Sequence, residues 1–228
     1  MWNRNDLDSD ATGATMLNGY STDQERFWAG RFGDEYTGRN AGAELVAGNT
    51  ALFARIFALT DSVESVIEFG ANVGLNLVAI RTLLPRAGLS GVEINAKAAE
   101  ELGRLPGVRV YTQSILDFSP DRTWDFVFTK GVLIHLNPDR LPEVYDLLHR
   151  SSKRYICVAE YYNPTPVSIP YRGETDRLFK RDFAGEMLDR FQDLRLVHYG
   201  FVYRRDIHFR QDDVTWFLLE KTGGTGGC

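Results

Sequence analysis

Glu68-Phe69-Gly70-Ala71-Asn72-Val73-Gly74 is the stretch that decides how the rest of the chain is read. It closes a short apolar run, Ser65–Phe69, whose length and β-branched and aromatic content predict a strand. It opens onto Leu75–Leu84, where apolar residues recur at helical spacing. A strand that turns through glycines into a helix N-terminus is the unit with which open α/β sheets meet nucleotide-like ligands. A dinucleotide fingerprint, G-x-G-x-x-G, needs glycines where this chain has Asn72 and Leu75. A phosphate-cradling loop needs Lys-Ser/Thr after its last glycine, where Leu75-Asn76 stands instead. Both pyrophosphate motifs are incomplete.

Outward from this loop the alternation continues. Leu89–Ile94 reads as a strand, Ala96–Arg104 as a helix, and Val108–Thr112 and Trp124–Thr129 as strands. Asn137-Pro138 starts a helix running to about Ser151, and Tyr155–Glu160 is the next strand. Pro164, Pro166 and Pro170 predict a long irregular loop leading to a helix near Arg181–Arg190. Leu194–Tyr203 and Val214–Glu220 close the chain as two strands on a short connection, hence an antiparallel hairpin. Upstream, Thr22 and Glu25 have capping-box spacing, followed by a rough helical stripe of Phe27, Trp28, Phe32 and Tyr36. A second helical pattern covers about Ala43–Leu59. The expected organisation is a flexible tail at 1–20, an N-terminal helical lid at 21–60, one cofactor-binding domain at 61–221, and a flexible tail at 222–228. Strands alternating with helices predict an α/β, Rossmann-like, mostly parallel sheet.

Composition narrows the function classes. The 228 residues are 43% hydrophobic and 25% charged, as expected of a folded globular chain. No apolar run of about 18 residues is present to span a membrane. The start MWNRNDLDSD is acidic and polar where a signal peptide is basic and then apolar, and Cys157 and Cys228 make no disulfide framework. A cytoplasmic location follows as the expectation. A net charge of −5 argues against nucleic acid and anionic membrane as partners. Yet 21 of the 26 basic residues are arginines, which leaves room for a local anion site.

Glu93 ends the second strand, about nineteen residues beyond Gly74, where a carboxylate can accept from both hydroxyls of a ribose. A ribose carboxylate without a phosphate cradle implies a nucleoside cofactor lacking a pyrophosphate. S-adenosylmethionine fits: Gly70–Gly74 toward its amino-acid end, Glu93 at its ribose, Ser114-Ile115 at its adenine edge.

EFGANVGLN (68–76), GVEIN (91–95), SILDF (114–118) and FTKGVLIHLNPDRLPEVY (128–145) together resemble the motif series of class I S-adenosylmethionine-dependent methyltransferases. QERFWAGRFGDEYTGRN (24–40), EYYNPTPVSIPYRGETDRLFKRDFAGEMLDR (160–190), YGFVYRRD (199–206) and TWFLLEK (215–221) resemble a narrower group, the pseudaminic-acid-biosynthesis-associated methylases. Within that neighbourhood they look most like phosphonate O-methyltransferases of dehydrophos-type biosynthesis. The resemblance spans about 21–221 and implies a seven-stranded, mostly parallel sheet with a C-terminal antiparallel hairpin and an N-terminal helical lid. It implies cofactor contacts from Glu68, Phe69, Gly70, Ala71, Asn72, Gly74, Asn76, Glu93, Ile94, Ser114, Ile115, Leu116, Lys130 and Gly131. One departure stands out: Asn72 occupies a position where the class commonly has glycine. Asparagine tolerates left-handed backbone better than other non-glycine residues, so the loop can survive the change.

The acceptor side is expected past the ends of the fourth and fifth strands. There His135 lies near the reacting centre, as a general base, a hydrogen-bond donor to an anion or a metal ligand. His149, His198 and His208 have no metal-ligand spacing, so no metal site is expected. Arg172, Arg177, Lys180 and Arg181 outnumber Glu174 and Asp176 in the loop after strand five, and Arg177 and Arg181 share a face if that segment is helical. Tyr162 interleaves with them, and Arg204 follows the sixth strand. Tyr36 and Arg39 belong to the expected lid, Tyr36 aimed at the anion with a catalytic role beside His135. Arginine forks match phosphonate, phosphate and carboxylate oxygens. The expected partner is one small anion, best a phosphonate, alternatively a nonulosonic (pseudaminic) acid sugar. An NAD-dependent oxidoreductase and a catalytically silent cofactor-binding protein are the competing classes.

Overall fold

Thr22 and Glu25 make the capping box their spacing predicts. The Thr22 hydroxyl accepts from the Glu25 amide while the Glu25 carboxylate accepts from the Thr22 amide, starting α1 (Asp23–Ala29). Gly30 interrupts the stripe, and α2 (Arg31–Thr37) resumes it in a new direction. The computed structural model describes residues 19–37, 42–171 and 174–223, with side chains described throughout except at 171 and 174–177. Arg39, Arg172 and most of both expected tails lie outside the described residues.

The chain continues through α3 (Ala43–Phe57), β1 (Ser65–Phe69), α4 (Leu75–Leu83), β2 (Gly88–Glu93), α5 (Ala96–Gly103), β3 (Val108–Thr112) and β4 (Trp124–Lys130). Two one-turn 3-10 helices, Leu133–His135 and Pro138–Arg140, lead into α6 (Leu141–Ser151) and β5 (Ser152–Glu160). Then come β6 (Val167–Tyr171), β7 (Glu174–Lys180), α7 (Phe183–Arg190), β8 (Leu194–Val202) and β9 (Val214–Lys221).

Seven strands form one sheet in the order β3-β2-β1-β4-β5-β9-β8. Its pairs are parallel from β3 to β5, whereas β9 runs antiparallel to both β5 and β8. Because side chains alternate across a strand, the sheet feeds two cores. Val66, Phe126, Phe128 and Leu218 meet Leu52, Phe53 and Ile56 of α3 on one face. Ile67, Val127, Ile156 and Leu219 meet Val144 and Leu148 of α6 and Met187 of α7 on the other. Winding reverses between β1 and β4, which places the switch point of the sheet at their C-terminal ends. No helix among the described residues is long and apolar enough to cross a membrane.

The segment after β5 departs from expectation. In place of an irregular loop, β6 and β7 pair as an antiparallel two-stranded sheet. Pro170 falls where the register shifts between Ile169 and Tyr171, so its missing amide costs no regular ladder bond. Arg177 therefore lies on a strand and α7 starts only at Phe183, so the helical face expected to join Arg177 and Arg181 does not form.

Candidate functional site

A cavity of about 560 Å³ opens at the C-terminal ends of β1, β2 and β4. Its floor is the glycine loop, in which Gly70, Asn72 and Gly74 all take left-handed backbone, with φ of 78°, 48° and 83°. The amides of Gly70 and Ala71 both donate to the Val92 carbonyl, pinning the loop to the neighbouring strand. Asn72 does what its side chain allows in this conformation, its Oδ1 accepting from the Val73 amide at 2.8 Å.

Glu93 stands in the middle of the cavity wall and is 8% exposed. Its two oxygens accept from the Asn72 amide at 2.7 Å and the Asn95 amide at 2.8 Å. Burial pushes its pKa up, and these backbone donors oppose the rise. Glu68 is different. It is fully buried behind the loop, accepts from Asn76 Nδ2 at 2.6 Å, and is pushed by burial up to about 8, against the pull of Lys130. Lys130, at the end of β4, is partly buried, and desolvation lowers its pKa.

The N-terminal helices supply the facing wall. Glu25 of α1 reaches Ser114 after β3 with one oxygen and the Ser21 and Thr22 amides with the other. Burial works against its charge, but donors from Ser114, Ser21 and Thr22 together hold its pKa below the ordinary carboxylate value. Asn95, the cap of α5, donates to Asp34 of α2 at 2.9 Å. Trp28 lies 4.7 Å from the His135 ring and 5.3 Å from that of Tyr36, centroid to centroid.

His135 ends a one-turn helix that Glu160 anchors. From the end of β5 this carboxyl accepts from the amides of Val132, Leu133 and Ile134, at 3.0 to 3.5 Å. Burial raises its pKa to about 7. Unfolded, the group titrates near the ordinary 4.5. Between those values the folded chain holds a proton that the unfolded chain has released, so stability falls as pH rises. Folding free energy should drop by up to about 3 kcal/mol from this group between pH 4.5 and 8. Urea titrations at pH 5 and pH 8 check this: Glu160→Gln should remove that part of the pH dependence. A wild-type-to-variant difference that is the same at both pH values would contradict it.

Of the residues singled out from sequence, Gly70, Ala71, Asn72, Asn76, Glu93, Ile94, Ser114, Ile115, Lys130 and Gly131 border this one cavity, as do Tyr36, His135 and Arg204. Glu68, Phe69, Gly74 and Leu116 do not border it, and Phe69 is packed in the core. Of the expected clamp, Arg204 is the one described side chain that borders the cavity. Arg181 pairs with Glu186 at 2.6 Å, and Tyr162, 41% exposed, leans on Phe217 instead of the cavity. Lys180 sits 5.2 Å from the ring centroid of Tyr161, a cavity residue, without bordering the cavity itself. The side chain of Arg177 lies outside the described residues, as does all of Arg172. Sequence reasoning missed Glu25 as a tie to Ser114, Trp28 as a cover for His135, and Asn49, Arg210, Gln211 and Asp212 as cavity walls. Among the described residues no group of three His, Cys, Asp or Glu side chains gathers to hold a metal.

No protein-family model and no curated protein matches the chain. Solved structures do. The plantazolicin methyltransferase BpumL, in complex with SAH (S-adenosylhomocysteine), aligns over 87% of this chain and 93% of its own, with TM-score 0.62 and 15% identity. Magnesium protoporphyrin IX methyltransferase from Synechocystis PCC 6803, with bound SAH, aligns over 87% and 100%, with TM-score 0.61 and 13% identity. DhpI, in an SAH complex, aligns over 87% and 94%, with TM-score 0.55 and 20% identity. With its strand order and the one antiparallel strand of its seven-stranded sheet, this chain has the Rossmann-like fold of the class I methyltransferases.

Proposed function

We propose that this protein is an S-adenosylmethionine-dependent O-methyltransferase acting on a small anionic acceptor, best a phosphonate. The observation that carries the reading is Glu93, set in the cavity wall between a glycine loop without a phosphate cradle and Ser114. The cavity is of the size that buries a ligand of this kind. The SAH- and SAM-bound methyltransferases of the same fold support the choice of nucleoside. In this reading Glu93 holds the ribose, Ile94, Ser114 and Ile115 flank the adenine, and the 70–72 backbone with Asn76 and Lys130 meets the amino-acid end. S-adenosylmethionine supplies a methyl group activated on a sulfonium. A nicotinamide dinucleotide fits the loop poorly, because Asn72 and Leu75 stand where its pyrophosphate needs glycines.

The protein's own task is positioning and drying. The helices 23–37 act as the lid, latched by Glu25 to Ser114 and by Asp34 to Asn95. His135, Tyr36 and Arg204 face the acceptor. A phosphonate oxygen is already ionised near neutral pH, so no strong base is required, and His135 serves as an anion donor. The acceptor choice leans on the sequence resemblance to phosphonate O-methyltransferases. On an acidic sugar, His135 would have to take a hydroxyl proton.

His135→Ala separates the two. With a phosphonate, the variant should raise KM while kcat stays within about tenfold; with a sugar hydroxyl, kcat should fall about 10²–10⁴-fold. The assay is product mass from a panel of phosphonates, phosphates and acidic sugars incubated with labelled cofactor. Methylation of none of them would sink the anionic-acceptor reading.

A further inference from the structure

Gln211 lies in the connection between β8 and β9, among the exposed residues Arg210 and Asp212. A glutamine on such a turn could hydrate its amide freely. Here both Oε1 and Nε2 are sealed from solvent with no hydrogen-bond partner, in a side chain that borders the cavity. A buried donor and a buried acceptor left unpaired forfeit the hydrogen bonds that water would otherwise supply. The fold makes room for this arrangement on α3: a β-carbon at Gly48 would meet the Arg210 carbonyl at 3.3 Å and Gln211 Nε2 at 3.5 Å. Asn76 Oδ1, at the start of α4, is also buried without a partner, its Nδ2 being committed to Glu68. Lys130 borders the same cavity.

These groups offer two amide oxygens that accept, and an amide nitrogen and an ammonium that donate. A phosphonate or phosphate satisfies only the donors and leaves both amide oxygens facing an anion. A ligand group carrying ammonium and carboxylate together satisfies all four. We propose that Gln211 is a binding residue for the zwitterionic α-amino-acid group of the nucleoside cofactor, sharing that group with Asn76 and Lys130. This rests on the methyltransferase reading above. It adds that the connection carrying Arg204 and Arg210 is fastened to the cofactor, so that cofactor seating fixes part of the acceptor wall.

Calorimetric titration with two ligands tests it: S-adenosylhomocysteine, and 5′-methylthioadenosine, which lacks the amino-acid group. Gln211→Ala should weaken S-adenosylhomocysteine about tenfold and leave 5′-methylthioadenosine within about twofold. Gln211→Glu, which removes the donor and adds a negative charge beside the carboxylate, should weaken S-adenosylhomocysteine further still. Equal loss of both ligands in both variants would make Gln211 a structural residue. Unchanged binding of both would assign it to the acceptor. Either result overturns the proposal. Wild-type protein that binds neither ligand overturns the methyltransferase reading itself, a different outcome from the other two.

Discussion

Glu93→Ala should cost the protein most of its affinity for an adenosine-bearing ligand, on the order of 10²–10³-fold. Two hydroxyls of a ribose donating to one largely buried carboxylate form charge-assisted bonds, each worth about 1.5–3 kcal/mol. The side chain also holds its own surroundings in place, through the amides of Asn72 and Asn95. Alanine removes both functions, so the loop that floors the cavity loses its brace along with the ligand contact. Glu93→Gln keeps one accepting oxygen without the charge and should lose about tenfold. Titration of both variants with S-adenosylhomocysteine gives the ratio. Wild-type affinity in Glu93→Ala would place the ribose elsewhere.

Gly70→Ala should damage the fold and the site together. Gly70 has φ of 78°, so any β-carbon pays the left-handed cost of about 1–2 kcal/mol. That carbon would also stand 2.5 Å from Val132 Cγ2 and 3.0 Å from its Cγ1, which forces Val132 to move. Val132 opens the turn that Glu160 anchors and His135 ends. The variant should lose about 2–4 kcal/mol of stability, a fall in Tm of roughly 5–15 °C, together with nearly all activity. Adding Val132→Ala should recover the steric part and leave the backbone part. A double variant no more stable than Gly70→Ala would show that the methyl does not press on Val132.

The sheet was legible because its central strands are buried on both faces. Ser65–Phe69 and Tyr155–Glu160 read as compact apolar runs, and the helices between them carry clean amphipathic spacing. The β6–β7 hairpin was not, because three prolines outweigh a pattern whose pairing is short and bulged. Glycine-loop and Glu93 positions could be read because chain-local geometry fixes them: strand, turn, helix, strand end. The partners that complete the site come from far away in sequence. Glu25 meets Ser114, and Gly48 lies against Gln211, with no motif marking either pair. Arginine clustering misled for the same reason. Arg181 finds Glu186 a few residues on, while the uncounted Arg210 turns up on the cavity wall.

The position of β9 has a consequence for how the chain reaches this state. Strand β9, late in the chain, is neither an edge nor an addition; it is wedged between β5 and β8. Until Val214–Lys221 has left the ribosome, β5 and β8 have no common neighbour, and each presents an open row of amides and carbonyls. The first five strands can zip together as each parallel unit emerges, but closing the sheet has to wait for its C-terminal end. Gln211 and Arg210 precede that strand by only a few residues, so part of the cavity wall also waits for it. A nascent chain holds the glycine-loop side of its pocket well before it has the rest.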